Sequence, residues 1–256
     1  MSISIETCAA MHIGDRSEQQ DRVGIFPHPT KPGCLLAVLS DGMGGHTGGA
    51  IAAEQVVLKA RQNFGHFTPG VEDIQEFLKS VIDEAHVVIK LTRFTSEADP
   101  HSTACVFVLR PGHADWAHCG DSRIYHFRRG GLVSRSPDHS LVGELVRSGR
   151  ITEAQAETHP QRNLLLSCLG AERDPRIDFG TTPALQAGDV FLLCSDGLWA
   201  YFSDYELGTT LDELDPRAAA KVLINAARER GAGAGDNISV AIVKVVPVVS
   251  AATALG

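Results

Sequence analysis

Two stretches of this chain share one design. LLAVLS at 35–40 and VFLLCS at 190–195 are apolar runs that end in Ser, and each is followed at once by Asp-Gly. Neither alternates apolar with polar residues, so neither suits a strand with one solvated face. Each is expected to lie within a packed core, and the carboxylates of Asp41 and Asp196 emerge where the core ends. Asp121, after WAHCG, and Asp236, in GAGDN just before the closing apolar run, occupy comparable places.

The strand-like runs come in clusters. SISIETCAAMHI (2–13), DRVGIF (21–26) and CLLAVLS (34–40) precede two segments, 50–67 and 71–94, in which apolar residues recur at helical spacing. In the second segment Ile74, Phe77, Leu78, Val81, Ile82, Ala85, Val88 and Ile89 form one stripe, which needs a sheet or a helix to cover it. TACVFVLR (103–110), ADWAHC (114–119) and RIYHFR (123–128) then read as an antiparallel meander, divided by turns at Pro111-Gly112 and Gly120-Asp121. A polar stretch follows, HSLVGELVRSG and ITEAQAE, with Thr152 and Gln155 spaced as a capping box. RIDFGTT and DVFLLCS are further strands, Asp215-Pro216 opens a helix through AAAKVLINAARER, and NISVAIVKVV is the closing strand. Strands that cluster, and do not alternate singly with helices, predict an α+β fold of antiparallel sheets flanked by helices, in one domain.

Asp-Gly and Asp-Asn cap ordinary turns, and that reading stays open for each aspartate taken singly. Four together are a different matter. Converging carboxylates repel one another unless cations neutralise them. Ligation by oxygen alone selects hard ions such as Mg²⁺ or Mn²⁺, and a pair of such ions can share a hydroxide nucleophile in phosphoryl transfer. Aspartate supplies 17 of the 31 acidic residues, so ligands for such ions are plentiful.

Charge and composition exclude other classes. The formal net charge is −8, from 23 Lys and Arg against 31 Asp and Glu, which disfavours nucleic acid and anionic membrane as partners. The first residues lack the basic and apolar regions of a secretory leader, and no run approaches the ~20 apolar residues of a spanning helix. Six cysteines without a C-x-x-C pair suit a reducing compartment. A cytoplasmic location is therefore expected. G-G-H-T-G-G lacks the spacing of a dinucleotide-binding fingerprint.

Motifs in a fixed order carry a resemblance. They are R-S-E-Q-Q-D at 16–21, S-D-G-M-G-G-H at 40–46, S-T-A at 102–104 and C-G-D-S-R at 119–123. D-H-S and H-P-x-R-N-x-L follow between Asp138 and Leu165, then S-D-G-L-W at 195–199 and G-D-N-I-S-V at 235–240. In these the chain resembles the metal-dependent serine/threonine protein phosphatases of the protein phosphatase 2C type, in their compact bacterial form. The resemblance implies a four-layer αββα sandwich, two antiparallel β-sheets flanked by helices, spanning residues 1–247 as one catalytic domain with a tail at 248–256. It implies two Mn²⁺ or Mg²⁺ ions bridged by Asp41, with the Gly42 carbonyl on one and Asp196 and Asp236 on the other. Asp21 would hold metal-bound water, Asp121 would bind a weaker third ion, and Arg16 would grip the substrate phosphate. A metal-bridging hydroxide would attack phosphorus directly, without a phosphoenzyme, and residues 143–165 would form a flap that helps to select substrates.

The chain departs from the family pattern at several positions. Gln20 stands where some members have a metal-binding Glu, and Gln19 where Asn is usual. Ala200 replaces an acid that binds the third ion, so that site is expected to be weak. Met43 occupies the place of a His proposed as general acid in animal members; His46 and His139 are read as loop organisers. The expected partners are phosphorylated proteins and a cognate serine/threonine kinase, and the chain is expected to be monomeric. Two other readings are a catalytically weak phosphoprotein-binding module of the same fold and a two-metal nuclease, against which the negative charge counts.

Overall fold

The computed structural model describes residues 3–44, 47–92 and 99–248. In chain order the elements are β1 (Ile3–His12), β2 (Arg22–Pro27), β3 (Leu35–Ser40), β4 (Gly42–Met43), α1 (Thr47–His66), α2 (Ile74–Thr92), β5 (His101–Ser102), β6 (Ala104–Arg110), β7 (His113–Cys119), β8 (Arg123–Arg128) and β9 (Gly131–Arg135). They continue with α3 (Leu141–Arg147), α4 (Glu153–Glu157), β10 (Asp178–Thr182), β11 (Asp189–Cys194), α5 (Asp196–Trp199), α6 (Asp204–Glu213), α7 (Pro216–Gly231) and β12 (Ile238–Pro247). Thr152 and Gln155 form the capping box that opens α4, and the Asp215 side chain caps α7 ahead of Pro216. His46 and residues 93–94 of the second helical segment lie outside the described residues, as does the tail from 249 on.

Two five-stranded sheets stack face to face, ordered β1-β12-β11-β8-β9 and β10-β7-β6-β3-β2, with every pairing antiparallel. Because side chains on a strand alternate between faces, the unbroken apolar run of β3 serves two cores at once. Leu36 and Val38 pack with α1 and α2, while Ala37 and Leu39 meet the opposing sheet. In β11 Val190, Leu192 and Cys194 face α7, while Phe191 and Leu193 enter the middle layer, where the Phe191 and Phe107 rings sit 4.8 Å apart. Helix, sheet, sheet, helix is the resulting order of layers. The α2 stripe buries largely as expected, except that His86 joins it, accepting from the Gly170 N–H at 3.2 Å, and Ile74 and Val88 are only half-buried.

The expected meander is instead two hairpins. β6 and β7 belong to one sheet and β8 and β9 to the other, so the chain crosses between sheets at 120–122. Local pattern reveals strands and turns but not which sheet a strand joins. Gly120 makes the crossing possible: its φ is +106°, and a Cβ there would lie 2.6 Å from Thr103 Cγ2. Registers Arg22↔Ser40, Ala104↔Cys119, Cys194↔Arg123 and Cys194↔Val240 bring the relevant strand ends to one rim of the sandwich. The aspartates project from this rim.

Gly120→Ala imposes both a disfavoured φ and a clash. It should lower the unfolding free energy by about 1–3 kcal/mol in urea titration. Unchanged stability would show that the crossing tolerates a side chain.

Candidate metal centre

Asp21, Asp41 and Asp121 are each fixed by neutral donors from another segment. The Asp41 N–H donates to Thr103 Oγ1 at 2.9 Å, and its carbonyl accepts from the Thr103 N–H at 2.9 Å and from Ser102 Oγ at 2.8 Å. Thr103 Oγ1 also shares a hydrogen bond with Ser122 Oγ, 2.7 Å away and next to Asp121. Thr103 thus joins two of the aspartate turns. The Asp121 carbonyl accepts from Trp199 Nε1 at 3.0 Å, and Trp199 ends the short helix that Asp196 begins. Arg123 lies over the Trp199 ring at 3.6 Å, with its guanidinium forked onto both oxygens of Asp138 at 2.8 Å.

Asp21 is buried, its Oδ2 accepting from Ser195 Oγ at 2.8 Å and its N–H donating to Gln19 Oε1 at 2.9 Å. Asp236 Oδ1 accepts from the Asn237 N–H at 2.8 Å, and its Oδ2 takes Arg16 Nη2 at 2.6 Å. Gly42, also buried, lies so near α1 that a Cβ there would be 2.0 Å from the Gly49 carbonyl oxygen. All seven residues singled out in the sequence, Arg16, Asp21, Asp41, Gly42, Asp121, Asp196 and Asp236, belong to this rim. Thr103, Ser195, Trp199 and Asn237 also shape it; they stand inside the quoted motifs, but no local pattern assigns them these partners.

The carboxylates act on one another electrostatically. Burial, then repulsion from Asp21, Asp196, Asp121 and Asp236, pushes Asp41 well above the usual carboxylate range. Burial with repulsion from Asp196 and Asp236 raises Asp21 to about 7. Burial with repulsion from Asp196 and Asp138 raises Asp121 to about 8, and burial with repulsion from Asp236 raises Asp196 to about 6. Two cations offset part of this: Arg16 lowers Asp196 and pairs with Asp236, and Arg123 lowers Asp121. A half-buried set of hard oxygen donors with uncompensated charge fits divalent cations of the Mg²⁺ and Mn²⁺ type.

A second cluster lies nearby. Ligand atoms of His118, His139 and Asp178 all fall within 4.8 Å of one another. They are already engaged: His139 Nδ1 accepts from the Gly120 N–H at 3.2 Å, so its protonated Nε2 faces Asp178 at 3.3 Å, and His118 Nε2 meets the Pro137 carbonyl at 2.7 Å. Burial and the adjacent His118 ring hold the His139 pKa down at about 4. The cluster organises the turn before Asp121.

The chain is similar to known proteins over nearly its whole length. The sequence profile of protein phosphatase 2C matches residues 8–230. A protein of Streptococcus pyogenes, named a putative protein phosphatase 2C-type, is 34% identical over 250 residues, 95% of this chain and 97% of that one. The protein phosphatase PhpP of Streptococcus pneumoniae is 32% identical over 233 residues, 90% of this chain and 93% of its own. Among solved structures, a serine/threonine phosphatase of Streptococcus agalactiae has a TM-score of 0.86 at 31% identity, covering 95% of this chain and 100% of that one. The catalytic domain of the serine/threonine phosphatase PstP, in complex with two manganese ions, has a TM-score of 0.81 at 27% identity, covering 96% and 100%. The chain belongs to the protein phosphatase 2C family, whose members are metal-dependent phosphoprotein phosphatases.

A pH dependence follows from the raised carboxylates. Stability that rests on their staying protonated is fully present below about pH 4, the unfolded value. It is lost as pH rises through about 6, 7 and 8, the folded values of Asp196, Asp21 and Asp121. In a chelator, the urea midpoint should fall across that window. Mn²⁺ at about a hundred times its dissociation constant should restore about 2.7 kcal/mol. Asp41→Asn should be more stable than the parent in chelator at pH 8, and should gain little from Mn²⁺. Equal midpoints for the parent with and without Mn²⁺ would argue against a metal centre here.

Proposed function

We propose that this chain is a protein serine/threonine phosphatase that hydrolyses phosphoserine and phosphothreonine by direct attack of water at a two-ion Mn²⁺ or Mg²⁺ centre. The observation that carries the reading is the convergence of Asp21, Asp41, Asp121, Asp196 and Asp236, from five separate segments, on one rim beside Arg16. Its relatives' names as serine/threonine phosphatases support the substrate class. Asp41, Asp196, Asp236 and the Gly42 carbonyl would hold the two ions, and Asp121 a weaker third, because Ala200 offers no carboxylate. When bound, such ions activate water as a nucleophile and offset charge on the phosphoryl group.

The chain's own side chains supply the rest. Asp21, oriented by the Ser195 hydroxyl, would hydrogen-bond the attacking water. The Arg16 guanidinium, 60% exposed at the mouth of the site, offers a forked donor to phosphate oxygens. Residues 1–247 would form the single catalytic domain and 143–165 its flap. The six cysteines are all free, which suits a cytoplasmic enzyme acting on phosphorylated proteins opposite a cognate serine/threonine kinase.

Purified protein with Mn²⁺ should release phosphate from a phosphothreonine peptide. A chelator should abolish this, and Asp41→Asn or Asp196→Asn should lower kcat at least about a hundredfold. Full activity in either variant would overturn the assignment, cleavage of plasmid DNA would favour a nuclease, and peptide binding without turnover would favour a regulatory module.

A further inference from the structure

Arg16 sits in a segment without regular secondary structure, between β1 and β2, yet that segment is tied down along its length. Asn237, 4% exposed, does most of the tying. Its Nδ2 donates to the carbonyls of Ile13 at 2.8 Å and Glu18 at 2.9 Å, and its Oδ1 accepts from the Gln20 N–H at 2.7 Å. These three bonds straddle Arg16. Asp15 adds two more, its N–H donating to the Gly235 carbonyl at 3.0 Å and its Oδ2 accepting from the Gly235 N–H at 2.8 Å. Gly14, at φ +65°, comes so close that a Cβ there would lie 2.0 Å from the Asp236 carbonyl oxygen.

Opening β12 requires only the backbone of residue 237, yet each of these Asn237 side-chain bonds goes to the Arg16 segment. We infer that Asn237, assisted by Asp15, is a positioning residue that registers Arg16 against Asp236, so that the phosphate grip and a metal-binding carboxylate move as one unit. The inference rests on the proposed role of Arg16 as the phosphate-binding group. A long side chain that is 60% exposed can aim at one point only if its backbone is held, and the Arg16 to Asp236 contact of 2.6 Å is the result.

The test is a double-mutant comparison in the full chain with Mn²⁺, reading the inhibition constant of inorganic phosphate together with kcat and KM for a phosphothreonine peptide. Asn237→Ala should raise the phosphate inhibition constant and KM about fivefold or more, and add less than about twofold when Arg16 is already Ala. A loss that multiplies in full in the Arg16→Ala background, or an unchanged phosphate inhibition constant in Asn237→Ala, overturns the inference while leaving the reading of Arg16 standing. An unchanged constant in Arg16→Ala alone overturns that reading and this inference with it. If thermal melting shows Asn237→Ala unfolded at the assay temperature, Asp15→Ala carries the same comparison, with about a threefold effect expected and the same lack of additivity.

Discussion

Repulsion among carboxylates at the rim of the sandwich is the constraint on which the rest of this structure depends. Five aspartates leave the core within reach of one another, and burial with mutual repulsion lifts the pKa values of four of them, Asp21, Asp41, Asp121 and Asp196. Such an arrangement strains any fold that holds it. The two sheets resist that strain because their central strands are apolar on both faces, packed by helices outside and by each other within. The same double burial fixes the strand ends in place, and the strand ends carry the acids.

The groups that orient the aspartates are almost all neutral. Thr103, Ser102, Ser195, Trp199 and Asn237 donate hydroxyl, indole or backbone protons to them or to their main chain, fixing geometry without cancelling charge. Arg123, beside the Asp121 turn, is forked onto Asp138 and offsets Asp121 only in part. Negative potential would therefore be left for cations that arrive from solution, and with them an acidic protein would acquire a site able to receive an anionic phosphate. Arg16 is the charged exception, held at the mouth of the site where a substrate would enter.

Much of this was legible in the sequence, because periodicity and turn chemistry are local. The runs at 35–40 and 190–195, the α2 stripe, the Thr152 capping box and the Asp215-Pro216 start of α7 all read correctly. The order of the motifs by itself points to the family. Helix α6 went unread although Ser203 and Glu206 carry a capping box; its apolar content is slight, and its end is anchored from far away by Lys244, whose Nζ donates to the carbonyls of Leu211, Asp212 and Leu214.

By itself the sequence determined most of the strands and helices, where the acids stand relative to their ends, and that oxygen ligands for hard cations are present. Tertiary structure alone decided that β7 and β8 part into different sheets, that Asp21 lies under Ser195 across 174 positions of chain, and that Asn237 grips the Arg16 segment. The physical reason is range. Side-chain periodicity is set by neighbours a few residues away, whereas strand partners and carboxylate pKa values are set by groups that only the packed sandwich brings together.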